Sequence, residues 1–238
     1  MCQDCGCGDV NIVPIEVHDK ILAKNDSTAA HNRHHLREAG VLCVNLMGSP
    51  GAGKTAVLEA TARAASHAME IGAIAGDLAT DNDARRLKAA GIRAEALNTG
   101  SMCHLDAELV HKALHHFRLD AIDLLVIENV GNLVCPAVYD LGQAVNVVAL
   151  AVTEGEDKPL KYPTMFAKAD LVLLTKTDLL PHLPNIRVDT IEENIARVMP
   201  RARVIRFSAN DGTGVGLWLD WLQTKRNELT LELVETHA

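Results

Sequence analysis

A mostly parallel β-sheet flanked by helices on both faces is the fold class the sequence predicts, on three observations. Short apolar runs of strand length recur along most of the chain, several of them nearly continuous in Val, Leu, Ile and Ala. Helical periods lie between those runs. A Gly-rich turn of the form G-x-x-x-x-G-K-T joins the first run to the first long helical stretch. Continuous apolar strands are those buried on both faces, and strand–helix alternation builds parallel sheets with helices on each side.

The elements follow in order. Residues 1–10 form a Cys/Gly tip, and residues 11–38 read as a linker or short helix with few large apolar side chains, ending near His31-Asn32-Arg33-His34-His35. From residue 39 to 238 one α/β domain is expected. Its strands are predicted at Val41–Met47, Ile71–Gly76, Ala94–Asn98, Leu124–Glu128, Val145–Val152, Leu171–Thr175 and Arg203–Ser208. Its helices are predicted at Lys54 to about His67, Asn82–Ala90, Asp106–Phe117, Thr190–Val198 and Val215–Leu222. In such sheets, sites form beyond the carboxyl ends of the strands. The motifs below all fall there.

Composition narrows the partners. The formal charge is −8 and no Lys/Arg cluster offers a nucleic-acid footprint. The first residues are too polar for a signal peptide and no apolar run is long enough to cross a bilayer. A cytoplasmic protein with protein and small-molecule partners is expected. Thiols stay reduced there, so clustered cysteines read as metal ligands or redox groups before disulfides.

Gly48-Ser49-Pro50-Gly51-Ala52-Gly53-Lys54-Thr55 directly follows a strand and directly precedes a helix, the context of a P-loop. Glycines let consecutive N–H groups turn toward a phosphate. Gly48, Gly51, Ala52, Gly53, Lys54, Thr55 and Ala56 are the candidate nucleotide contacts, with Lys54 on the β- and γ-phosphates and the Thr55 hydroxyl on Mg²⁺. Asp77 and Glu128 end strands beside the loop, where a carboxylate can hold Mg²⁺ directly or through water. Gly131, in Glu128-Asn129-Val130-Gly131, lets a backbone N–H approach the γ-phosphate. No side chain is an obvious general base. An Asp of the 77–83 loop, Asp77 or Asp83, is the candidate for positioning water, and Asp83 reads equally as a helix N-terminal charge.

Leu171–Leu174 runs into Thr175-Lys176-Thr177-Asp178, which is similar to the N-K-x-D guanine motif of G proteins. A carboxylate accepts from both the ring N–H and the exocyclic amine of guanine, a donor pair adenine lacks. The Lys176 stem can lie over the base. Thr175 departs from the usual Asn. Ser208-Ala209 after the last strand resembles the element that contacts guanine O6.

Cys2-Gln3-Asp4-Cys5-Gly6-Cys7-Gly8 packs three thiolates into a short flexible stretch. With the Cys2 amine after removal of Met1, it offers an N/S set that suits nickel(II). Cys103-His104 precedes a helix and Cys135 lies past Glu128, so two thiolates and an imidazole could converge on one ion; a buried structural Cys135 is the alternative. Cys43 lies inside a strand and reads as core. His111 and His115 are spaced i, i+4 but lie off the apolar face Leu109, Ala113, Leu114 and Phe117; they read as solvated, with metal binding the lesser option. His31, His34 and His35 read as a weak metal reservoir or a polar linker.

Together these segments resemble the HypB family of hydrogenase nickel-insertion GTPases, a Rossmann-like, SIMIBI-class P-loop NTPase group. The likeness rests on C-x-x-C-G-C-G at Cys2–Gly8, G-S-P-G-A-G-K-T at Gly48–Thr55, G-D-L-A-T-D at Gly76–Asp81, T-G-S-M-C-H-L at Thr99–Leu105 and E-N-V-G-N-L-V-C-P at Glu128–Pro136. The resemblance implies GTP hydrolysis to GDP, tight nickel at Cys2, Cys5 and Cys7, and nickel or zinc at Cys103, His104 and Cys135 at a GTP-dependent homodimer interface. It also implies a HypA-type accessory protein and a hydrogenase large-subunit precursor as partners. The rival readings are a related GTPase chaperone for urease or a cobalamin enzyme, a passive metal-storage protein with a vestigial P-loop, and an ATP-dependent ligase-type enzyme on the same fold.

Overall fold

The computed structural model describes residues 15–66, 68–77, 81–100, 104–199 and 201–236. Seven strands form one sheet: β1 (Leu42–Met47), β2 (Ile71–Asp77), β3 (Arg93–Asn98), β4 (Leu124–Glu128), β5 (Val145–Ala151), β6 (Leu171–Thr175) and β7 (Val204–Arg206). Their order is β3-β2-β4-β1-β5-β6-β7, with every neighbouring pair parallel. β1 pairs with β4 on one side and β5 on the other. The chain order reverses there, so a crevice opens beyond the carboxyl end of β1.

The helices are α1 (Ile15–Glu38), α2 (Lys54–Ala65), α3 (Asn82–Ala89), α4 (Ala107–Leu114), α5 (Lys158–Lys161), α6 (Pro163–Ala167), α7 (Val188–Val198) and α8 (Val215–Thr236). α2, α3 and α8 cover one face of the sheet, where Trp218 and Trp221 stack at 5.4 Å. Trp218 Nε1 donates to Thr61 Oγ1 at 2.9 Å, which satisfies the indole in a dry site. α1 and α4 cover the other face over β2 and β4, and α6 and α7 cover it over β5 and β6. All residues of β1, β4 and β6 are buried, as their continuous apolar runs require.

α1 is a 24-residue helix where the sequence suggested a short helix or linker. Its buried positions Asn25, Ala29, Asn32 and Leu36 recur at helical spacing, but two are amides, which thins the apolar period. Both amides are satisfied across the packing seam: Asn25 Nδ2 donates to the Asp140 carbonyl at 2.8 Å, and Asn32 Nδ2 to the Ala107 carbonyl at 2.9 Å. Asn25 Oδ1 and Asp106 Oδ1 accept the N–H groups of Ala107 and Leu109, which caps α4. α8 runs on to Thr236, well beyond the predicted Leu222, and the short α5 and α6 were not predicted. Among the described residues no helix is long and apolar enough to cross a membrane.

Candidate nucleotide and metal site

The P-loop leaves β1 at Gly48 and delivers Lys54 and Thr55 to the first turn of α2. A Cβ on Gly48 would lie 2.4 Å from the Ala149 carbonyl oxygen, so the loop leaves the sheet only with glycine there. Gly51 and Gly53 hold φ of +77° and +90°, which glycine adopts without strain. Lys54 Nζ donates to the Gly48 and Ser49 carbonyls at 3.2 Å each, arching over the loop it must serve. Burial lowers its pKa, opposed by the nearby Glu128, Asp83 and Glu154 carboxylates.

Three oxygen groups meet at the carboxyl end of β4. Thr55 Oγ1 lies 2.7 Å from Glu128 Oε1, to which it donates, and 3.2 Å from Asp83 Oδ1. Glu128 is 4 % exposed, and its Oε2 is buried without a hydrogen-bond partner. Burial pushes the Glu128 carboxyl up to about 7, against the pull of the Thr55 hydroxyl and the Lys54 ammonium. Asp83 thus faces the site, while Asp81 pairs with Arg85 on the helix surface. The backbone of Asp77 ends β2; its side chain lies outside the described residues.

These groups line a cavity of about 480 Å³ with Gly51, Ala56, Arg86 and Gly131. A Cβ on Gly131 would sit 2.9 Å from the Pro50 nitrogen, so only glycine lets this segment close on the P-loop. Ala52, by contrast, is fully buried and faces β6 rather than the cavity: its carbonyl accepts from Thr175 Oγ1 at 2.6 Å. Thr175 therefore pins the P-loop to the strand that carries the base motif.

A second cavity of about 350 Å³ shares Gly53, Ala56 and Lys176 with the first and adds Asp178, Leu179, Phe207 and Ala209. Lys176 adopts the left-handed φ of +60° and its Cε approaches Gly53, which lays the stem along the loop. Asp178 Oδ1 accepts from Ser208 Oγ at 2.9 Å, and Asp178 Oδ2 lies 3.4 Å from Asn210 Nδ2. A further cavity of about 310 Å³ lies at the amino ends of β1 and β5, between α1 and α8 and away from every motif.

Other polar contacts at the site were not foreseen from the motifs. Ser49 Oγ donates to Glu154 Oε2, and Glu154 Oε1 accepts from the Ala151 N–H at 2.9 Å. Arg86 forks onto Glu59 at 2.9–3.0 Å and lies 3.5 Å from Asp83. A chain of amides runs from Asn129 to Asn45 and from Asn45 to Asn146, each link 3.0 Å. Glu154 follows β5, a neighbour of β1, so the carboxyl-end rule was its available signal. Asn45 and Asn146 carry no signal, because buried Asn has no periodicity of its own.

Cys2, Cys5, Cys7 and Cys103 lie outside the described residues. His104 is half-buried and stacks on Tyr139 at 3.9 Å, against the segment that begins at Cys135. Burial lowers the His104 pKa, which favours the neutral imidazole that binds metals. Cys135 is partly exposed. Cys43 is buried in β1 with its thiol pushed to about 12, an inert core residue as expected. His111 corrects the sequence reading: it is partly buried, with Nδ1 2.9 Å from Asn32 Oδ1, rather than simply solvated.

The family profile "CobW/HypB/UreG, nucleotide-binding domain" matches residues 42–206. The hydrogenase maturation factor HypB of Azotobacter chroococcum is 49 % identical over 214 residues, covering 89 % of this chain and 69 % of its own. The crystal structure of HypB from Archaeoglobus fulgidus superposes with a TM-score of 0.80 at 40 % identity, over 86 % of this chain and 100 % of that one. HypB from Helicobacter pylori, solved in complex with nickel, superposes at 0.82 with 39 % identity, over 86 % and 96 % of the two chains. A profile spanning the sheet from β1 to β7, and relatives this similar over most of their length, make this chain a member of the HypB family of hydrogenase maturation factors.

Proposed function

We propose that this chain hydrolyses GTP and uses the cycle to bind nickel and pass it to a nickel–iron hydrogenase precursor. One observation carries the nucleotide half. A phosphate cavity and a base cavity meet at Gly53, Ala56 and Lys176, with Thr55, Asp83 and Glu128 at one end and Asp178 at the other.

The residues at the phosphate end fit Mg²⁺. All three offer oxygen, the ligand type a hard cation selects, and the buried, unpartnered Glu128 Oε2 is a donor with nothing else to bind. When bound there, Mg²⁺ neutralises charge on the β- and γ-phosphates. Lys54 exchanges its loop carbonyls for phosphate oxygens. The Gly131 N–H meets the γ-phosphate on this reading, which the close approach of Gly131 to Pro50 of the P-loop supports. Asp178, held by Ser208 and Asn210, accepts from the two guanine donors while Lys176 covers the base.

Nickel is the cargo. The Cys2, Cys5 and Cys7 thiolates form the tight site on this reading, and Cys103, His104 and Cys135 form a second site for nickel or zinc. The stack of His104 on Tyr139 supports the second site, because it holds the imidazole against the Cys135 segment. The nickel-bound Helicobacter pylori relative supports the choice of ion. GTP-dependent pairing of two copies would complete the second site, and a HypA-type protein would receive or supply the ion in the cytoplasm.

Nucleotide hydrolysis by the purified chain tests the reading. GTP should be hydrolysed and ATP should not. Asp178→Asn should weaken GTP binding by roughly tenfold or more, the loss of a charge-assisted bond of about 1.5–3 kcal/mol, and should favour xanthosine triphosphate. Equal hydrolysis of ATP and GTP by the unaltered chain would sink it.

A further inference from the structure

Histidines of α1, of α4 and of the cap that ends α4 stand outside the nucleotide site, and four of them form one cluster. His31 and His35 are four residues apart on α1, and His111 and His115 are four residues apart on α4. Such a pair projects from one helix face, the spacing by which helices present two imidazoles to one ion. The two helices pack together, so the pairs face each other. The ring centres of His31 and His35 lie 4.3 Å apart, those of His31 and His111 5.2 Å, and those of His111 and His115 4.8 Å. His35 and His111 are 6.5 Å apart.

The tautomer of His111 follows from its neighbour. The Asn32 amide nitrogen already donates to the carbonyls of Ala107 and Leu141, at 2.9 and 3.2 Å. Its Oδ1 can only accept, so His111 Nδ1 is the donor across their 2.9 Å contact. The lone pair of neutral His111 is then on Nε2, which lies 3.3 Å from Nε2 of His115. A buried amide that fixes the ring through one nitrogen and frees the other is how proteins orient metal-binding histidines.

We infer that His31, His35, His111 and His115 form a surface site for a borderline divalent transition ion, with zinc(II) the best fit, clamping α1 to α4. Two ligand nitrogens held at about 2.05 Å on a tetrahedral ion stand about 3.3 Å apart, and their ring centres about 5 Å apart. The His111–His115 separation already has that value. Among the described residues no three His, Cys, Asp or Glu side chains are closed into ligand geometry. His31 and His35 are exposed, which leaves their side chains room to turn toward His111 and His115. The site is distinct from Cys103, His104 and Cys135. Cys103 and His104 come before the amino end of α4 in the chain, His111 lies within that helix, and Cys135 follows β4. His34 reaches the cluster only through His35, at 6.4 Å between ring centres, and pairs with Glu38 at 3.4 Å, which makes it the internal control.

The test uses the untagged full chain with Cys2, Cys5, Cys7, Cys103 and Cys135 changed to Ser, titrated with cobalt(II) and with zinc(II). One equivalent should bind, with tetrahedral cobalt d–d bands and no thiolate charge transfer. Single changes His31→Ala, His35→Ala, His111→Ala and His115→Ala should each weaken zinc at least about tenfold, and His34→Ala should leave it unchanged. His115 is exposed, so its removal keeps the fold and a loss there reads as loss of a ligand. No binding by the cysteine-depleted chain, an unchanged affinity in His115→Ala, or equal weakening by His34→Ala overturns the inference.

Discussion

Glu128 shows how much a single residue at this site is shaped by its surroundings. In the unfolded chain its carboxyl titrates near the ordinary 4.5; in the fold, burial raises it to about 7. Between those two values the folded chain holds a proton that the unfolded chain has released, so stability falls as pH rises from about 4.5 through 7 and levels off above. The fall is at most about 3 kcal/mol for a shift of this size. Urea unfolding of the protein free of metal and nucleotide, at pH 5 and pH 8, should show that loss, and Glu128→Gln should remove most of it. The same pH slope in both proteins would mean that the burial of Glu128 costs nothing, and its place as an oxygen ligand would lose its support. Thr175 shows the converse, a residue read through its departure from a motif. Its hydroxyl is bonded to the Ala52 carbonyl rather than turned to the base. The sequence carried the residue type, but only the approach of β6 to the P-loop explains why a hydroxyl works there.

Elements show where periodicity succeeds and where it fails. β1, β4, β5 and β6 were legible because strands buried on both faces are apolar at nearly every position. α1 was only half legible, because the contacts that bury it use Asn25 and Asn32. Its seat also depends on the loop before β5. Gly142 has φ +92°, and a Cβ there would lie 2.6 Å from Asn32 Cβ and 2.7 Å from the Ala29 carbonyl oxygen. Gly142→Ala should therefore push α1 off the sheet and destabilise the protein by about 2–4 kcal/mol, combining backbone strain with overpacking. Gly40→Ala is the control: its φ is +69° but nothing lies within 4 Å, so only strain of about 1 kcal/mol remains. Chemical denaturation of both variants decides it, and equal losses would mean that Gly142 is a turn residue and no more.

At the scale of the molecule one segment joins the nucleotide cavity to the proposed metal site. The Glu128–Gly131 segment touches the P-loop at Pro50 and continues to Cys135 and Tyr139, which stacks on His104. If GTP favours a dimer that completes a Cys103, His104 and Cys135 site, linkage requires metal to favour the GTP-bound dimer by the same free energy, typically about 1–3 kcal/mol. Dimer dissociation should therefore tighten roughly 5- to 150-fold with nickel or zinc in the presence of a GTP analogue, and not in Cys135→Ala. An unchanged dimer constant in every nucleotide state, measured by analytical ultracentrifugation, would show the two ends to be independent.

Residue order alone determined the phosphate loop, the base motif and the parallel α/β class. Each of these is written in consecutive residues or in a regular period, and the backbone chemistry they need is local. The tertiary structure alone decided which carboxylate meets Thr55, why Thr175 replaces an Asn, and that His31 and His35 face His111 and His115. Those pairings join residues from 28 to more than a hundred positions apart, as with Thr55 and Asp83 or Thr175 and Ala52. They exist only because parallel strands bring distant loops to one edge and because α1 packs on α4, and neither leaves a trace in the local pattern of either partner.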